Sequence, residues 1–140
     1  MKYAAWAVVL LGLLVVAPAL EAQQEGPPAR IELGQNFPNP FNPETTIPFT
    51  LPSEIFVDGH RPVVSLRIYN VLAQLVAVPI LQGSGEPMEN LALDWNGSGR
   101  YSAYWDGKVR GTGAEAPSGV YVYQLVVDGH RETNRMTIIK

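Results

Sequence analysis

The chain has 140 residues, 10 Lys and Arg against 13 Asp and Glu, a formal charge of -3 and no cysteine. Zero cysteines exclude a disulfide framework, thiolate catalysis, thiolate metal sites and a lipid-modified N-terminal cysteine. The acidic balance and a pI near 5.3 leave no basic footprint for nucleic acid, and a chain this short makes one small domain that rests on an apolar core.

Residues 1–22 follow the layout of a secretory signal peptide. Lys2 supplies a positive start, AAWAVVLLGLLVVA over 4–17 is an uncharged apolar run, and Pro18 with the small residues Ala19 and Ala22 comes next. The run is about 14 residues, short of the roughly 20 that a membrane-crossing helix needs. It is read as a removed leader, cut after Ala19 or after Ala22, which leaves no stable membrane span after processing. Residues 23–35 (QQEGPPARIELGQ) have no period and hold Pro27 and Pro28, the composition of a flexible linker. The domain proper is expected over 36–140.

That domain opens on NFPNPFNPETTIPF, where Pro38, Pro40, Pro43 and Pro48 fix φ and bias the residue before each toward extended backbone. The segment is expected to be a rigid, extended lead-in, with Asn36, Asn39 and Asn42 closing side-chain turns and Phe37 and Phe41 plugging the domain's edge. Beyond it the apolar period is two. Ile47, Phe49 and Leu51 predict a strand that Pro48 confines to a sheet edge. Val64, Leu66 and Ile68 predict a second, ending at Tyr69, and 75–80 a third, interrupted at Pro79. Leu91, Leu93 and Trp95 predict a fourth, joined as a hairpin through Asn96, Gly97, Ser98 and Gly99 to a fifth at Tyr101, Ala103 and Trp105. Residues 120–127 make the longest strand, apolar on both faces around Tyr121 and Tyr123 and therefore expected to be buried on both. Asp128 and Gly129 turn it into a last strand centred on 136–139. About seven short antiparallel strands, with no long helix among them, amount to an all-β, Ig-like β-sandwich.

Four blocks stand in order along this domain: NFPNPFNPETTIPFTLP, VSLRIYNVLAQLV, YWDGKVRGTGAEAPSGVYVYQL and a closing MTIIK. Together they resemble the C-terminal sorting domains of bacterial type IX secretion substrates, and they are equally similar to the Ig-like domain of the flagellar hook-assembly type. The resemblance runs over about 36–140. On it, Pro38, Asn39, Pro40, Phe41, Asn42 and Pro43 match the opening motif, and Leu66, Ile68, Tyr69, Asn70, Val71 and Leu72 the strand-and-turn block. Trp105, Asp106 and Gly107 match a WDG element, Ser118, Gly119, Val120 and Tyr121 an SGVY element, and Lys140 the basic end. The resemblance implies a non-enzymatic module without cofactor, catalytic residue or metal site. Such a module acts as a sorting signal or assembly domain, passes through the periplasm to the cell surface or beyond, and has envelope or secretion-machinery proteins as partners.

Two departures carry expectations of their own. The family usually has glycine where this chain has Ala73, which implies a remodelled turn. Residues 81–100 are longer than the pattern and hold a second Trp-Asn-Gly at 95–97, which suggests an added or extended hairpin. Sorting domains follow a large cargo, whereas here only the linker precedes the domain, so it either acts alone or is a remnant.

The alternative function is an extracellular carbohydrate-binding or adhesion module, with Trp95, Tyr101, Tyr104, Trp105, Tyr121 and Tyr123 as a platform for polysaccharide. Core packing is the plainer account of alternate aromatics in strands. Asp58-Gly59-His60-Arg61 recurs as Asp128-Gly129-His130-Arg131, and an Asp/His pair suits acid–base or metal chemistry. Asp-Gly is also the favoured two-residue turn, and two similar hairpin turns are expected. Glu86, Glu89, Asp94 and Asp106 lack the spacing of a calcium loop. Pro40 and Pro43 have the P-x-x-P spacing of an extended ligand, but their place in the opening motif favours a role in that strand.

Overall fold

The computed structural model describes residues 30–140; the expected leader over 1–22 and residues 23–29 of the expected linker lie outside the described residues. Nine strands follow in chain order: β1 (Glu32–Leu33), β2 (Thr45–Thr50), β3 (Val63–Tyr69), β4 (Leu75–Ala77), β5 (Ile80–Leu81), β6 (Leu91–Ala92), β7 (Arg100–Trp105), β8 (Gly119–Val127) and β9 (His130–Ile138). A short 3-10 segment, Ser53–Gly59, lies between β2 and β3. The strands form two antiparallel sheets, ordered β1-β2-β7-β5 and β4-β3-β8-β9, with β6 added to β3. The expected all-β sandwich is what the period of two builds. Ile47 and Phe49 from β2, Val64, Leu66 and Ile68 from β3, Tyr123, Leu125 and Val127 from β8, and Met136 and Ile138 from β9 meet between the layers, each 2% exposed or less. Burying one such side chain contributes about 1.5–3 kcal/mol, which makes this shared interior the main source of stability.

Strand count and pairing depart from expectation where prolines and turns intervene. The third predicted strand is two: β4 pairs with β3 in one sheet and β5 with β7 in the other. Pro79 lacks an N–H and cannot continue the ladder, so the chain crosses between layers there. The expected hairpin at 96–99 is also corrected. β6 pairs with β3 while β7 pairs with β2 and β5, so this turn carries the chain from one sheet to the other. Asn96 closes it, its Oδ1 accepting from the N–H groups of Ser98 at 3.0 Å and Gly99 at 2.8 Å.

β2 is not an edge strand, because β1 pairs with its second half. The Pro48 carbonyl accepts from the Gly34 N–H at 2.8 Å, so the proline nitrogen points the same way, away from β7. The ladder with β7 therefore loses nothing to the proline. β8 is central in its sheet, between β3 and β9, but only one of its faces is buried. Tyr121, Tyr123, Leu125 and Val127 point inward, whereas Val120 is 44% exposed on the outside.

The described part of the expected linker, 30–35, and the expected lead-in are integral to the fold. Glu32 and Leu33 pair with Thr50 and Phe49, so ordered pairing starts before residue 36. Residues 36–43 do not run as an extended lead-in but span both sheets. Phe37 and Thr46 exchange backbone hydrogen bonds of 2.9 Å, while the Phe41 N–H donates to the Thr137 carbonyl at 3.1 Å and the Ile139 N–H to the Phe41 carbonyl at 3.2 Å. Of the two expected plugs only Phe41 is buried; Phe37 is 54% exposed.

The turn after β3 keeps its left-handed residue instead of being remodelled: Ala73 has φ 61. Asn70 holds it there, its Oδ1 accepting from the N–H groups of Leu72 and Gln74, each at 3.0 Å. A left-handed alanine costs roughly 1–2 kcal/mol in backbone sterics, partly offset by glycine's greater unfolded-state entropy. Ala73→Gly is expected to raise stability by about 0.5–1 kcal/mol in urea denaturation. A lower midpoint would show that the alanine is not strained.

Candidate functional site

The opening, WDG, SGVY and terminal blocks of the sequence meet at one end of the sandwich, and an aromatic cluster anchors them. Trp105 comes at the end of β7, where the alternation sends it inward, and it is 2% exposed. Its ring meets Phe41 edge-on at 5.6 Å on one side and Tyr121 at 5.9 Å on the other. Its indole N–H donates to the Lys108 carbonyl at 3.0 Å, which pairs the polar end of a buried ring. Asp106 caps the same turn by accepting from the Lys108 N–H at 3.0 Å.

Gly107 then brings two blocks into backbone contact. With φ 81, its α-carbon faces Pro43 so closely that a Cβ would sit 1.9 Å from the Pro43 carbonyl oxygen. On the other side the Gly107 carbonyl accepts from the Ala116 N–H at 2.7 Å. Asn39 accepts from the Thr137 N–H of β9 at 3.1 Å, so it pins the opening segment to the last strand instead of closing a local turn. Ser118 accepts from the Lys140 N–H at 3.1 Å, and the Lys140 ammonium lies 3.3 Å from Glu115. Gly119 pairs with Ile138 and Val120 with Thr137. Pro38, Asn39, Pro40, Asn42, Pro43 and Asp106 form an exposed rim over the buried anchors Phe41, Trp105 and Tyr121.

A buried polar network supports this end, and the sequence reading assigned none of its long-range contacts. Asn36, 2% exposed, donates from its backbone N–H to the Tyr123 hydroxyl at 3.0 Å and from Nδ2 to Thr45 Oγ1 at 3.1 Å and to the Pro38 carbonyl at 3.2 Å. The last of these is the local turn that an asparagine here predicts. Tyr123 donates in turn to the Gly34 carbonyl at 2.7 Å. Burial raises the Tyr123 pKa, so the hydroxyl stays a donor. Every member has a partner, as buried polar groups require.

The six aromatics of the alternative sugar platform do not share one surface. Of the six aromatics proposed as a sugar platform, Trp105, Tyr121 and Tyr123 are buried. Trp95 packs edge-on against Phe56 at 5.2 Å, Tyr101 stacks on Phe49 at 5.4 Å, and the Tyr104 hydroxyl bonds Glu44. The two Asp-Gly-His-Arg segments share left-handed residues at Asp58, Gly59, Asp128 and Gly129, but only the second joins paired strands. The first ends the 3-10 segment, which corrects the expectation of two hairpins. His60 reaches across to Asp128 at 2.7 Å, and that hydrogen bond holds the Asp128 carboxyl below its usual pKa. His130 instead pairs with Glu132 at 2.9 Å. Asp94 is bound to Arg61 at 2.8 Å and Glu89 to Arg67 at 3.5 Å. Among the described residues no group of three His, Asp or Glu side chains lies close enough to hold a metal ion. Among them, too, no helix is long and apolar enough to cross a membrane.

No protein-family model matches the chain, and no curated protein does. Among solved structures it is similar to part of dimeric latent PorU from Porphyromonas gingivalis, at 20% identity and a TM-score of 0.55. It is also similar to PorZ, described as an essential bacterial surface component of the type-IX secretion system of the same organism, at 18% identity and a TM-score of 0.44. A third is the DNA glycosylase AlkC of Pseudomonas fluorescens, at 16% identity and a TM-score of 0.44. The alignments cover 81%, 79% and 80% of this chain but 10%, 11% and 31% of the others. The likeness to PorU shows a shared sandwich fold, and the chain spans about a tenth of that protein's length.

Proposed function

We propose that the chain is a non-enzymatic sorting or assembly module of a type IX-like export route, acting at the cell surface or outside the cell. One observation carries the reading: blocks that resemble the sorting-domain pattern, separated by up to about a hundred positions, fold into one anchored patch in which Phe41, Trp105 and Tyr121 are buried and the Pro38–Pro43 rim is exposed. A rim fixed by its own core loses little conformational entropy when a partner docks, which is what recognition by a secretion machine asks of an address. The fold shared with a small part of PorU agrees with a module that recurs attached to other chains.

The reading is tested by inserting an inert reporter between residues 25 and 30 of the full chain and expressing it in a host that encodes type IX machinery. The reporter is expected on intact cells, open to added protease, and confined to the periplasm when the machinery is deleted. Periplasmic retention of a folded fusion in the competent host would refute the proposal.

A further inference from the structure

β9 is a nine-residue strand at the edge of its sheet; among the described residues β8 is the one strand paired with it, and Phe41 adds a single parallel bridge at Ile138. Its register is set by the two-residue turn at Asp128 and Gly129, which makes Val127 and His130 the first hydrogen-bonded pair. Alternation then directs the backbone groups of Arg131, Thr133, Arg135 and Thr137 outward, away from β8. The chain itself fills one half of this edge. Thr137 donates to Asn39 and accepts from the Phe41 N–H, and the Arg135 carbonyl accepts from Gln35 Nε2 at 2.9 Å. Among the described residues nothing fills the other half: the backbone N–H and C=O of Arg131 and Thr133, and the Arg135 N–H, have no partner there.

The side chains beside this open stretch are selective. Arg131, Thr133 and Arg135 share one face and are all exposed, and among the described residues neither arginine has an acidic partner. The nearby Glu132 lies on the opposite face of the strand, bonded to His130. A groove of about 410 Å³, lined by Gln35, Val122, Thr133, Asn134 and Arg135, runs alongside. We propose that the Arg131–Arg135 edge is a strand-addition site for an extended acidic segment of a partner protein, with carboxylates four residues apart and a β-branched residue midway. On a strand, positions four apart lie roughly 13 Å from one another on the same face, the span between the two arginines. A second copy is the wrong occupant: antiparallel pairing about Thr133 would set Arg131 of each copy opposite Arg135 of the other, and like charges opposed across strands repel. The inference rests on the edge geometry and stands whether or not the domain is an export address.

The test uses the processed chain and two synthetic peptides with blocked ends, TETVTET and TKTVTKT, followed by amide hydrogen exchange and by titration calorimetry at low salt. TETVTET is expected to slow exchange at the amides of Arg131, Thr133 and Arg135 and to bind at least about tenfold tighter than TKTVTKT. The double variant R131E/R135E, which changes only exposed side chains, is expected to reverse that preference. Equal binding of both peptides, protection confined to another strand, or protection of these three amides before any peptide is added would each overturn the proposal. The last outcome would mean that chain preceding Arg30 already fills the edge.

Discussion

Replacing Trp105 with alanine is expected to destabilise the domain by about 4 kcal/mol, at the upper end of what large-to-small core changes cost. The indole is buried between Phe41 and Tyr121, and its N–H holds the Lys108 carbonyl, so truncation removes ring contacts on two sides and one hydrogen bond. The loss has a specific location. Phe41 is the only buried side chain among residues 37–43, and Trp105 is its aromatic partner. Urea denaturation would read the stability change, and amide exchange at Phe41 and Ile139 would read release of the opening segment from β9. A change below about 1 kcal/mol, or unaltered exchange at those two amides, would show that the aromatic cluster does not anchor the motif.

Gly107→Ala is expected to cost about 3 kcal/mol, far more than alanine at an ordinary left-handed glycine. The residue has φ 81, which a side chain adopts at roughly 1–2 kcal/mol, and the added Cβ would overlap the Pro43 carbonyl oxygen, an overpacking worth about 1–3 kcal/mol more. Gly113→Ala separates the two contributions. Its φ of 69 is as unfavourable, but a Cβ there meets nothing within 4 Å, so only about 1 kcal/mol is expected. Equal thermal shifts for the two variants would mean that the backbone of the opening segment does not press on the WDG turn.

Much of the secondary structure was written in local pattern. The alternation of Ile47 with Phe49, of Val64 with Leu66 and Ile68, and of Tyr101 with Ala103 and Trp105 marks β2, β3 and β7 because a pleated strand needs an apolar residue every second position to cover one face. The turn at Asp128 and Gly129 was legible for the same reason, since left-handed backbone at two successive residues favours that pair. The motif residues could be named from the resemblance, but not the contacts between them.

What the amino-acid sequence determined by itself was the location of the principal extended segments β2, β3, β7 and β8, the inward-facing apolar alternation of β2, β3 and β7, and the turn residues at 128–129, because these depend on neighbours within a few positions. Tertiary structure alone decided which strands pair, that the chain changes sheets at Pro79 and at 96–99, that residues 36–43 join both layers, and that Asn36 is buried against Tyr123. An apolar face records that a segment must be covered and not by what. The covering partner is selected only when distant segments compete for the same buried area and for the same hydrogen bonds.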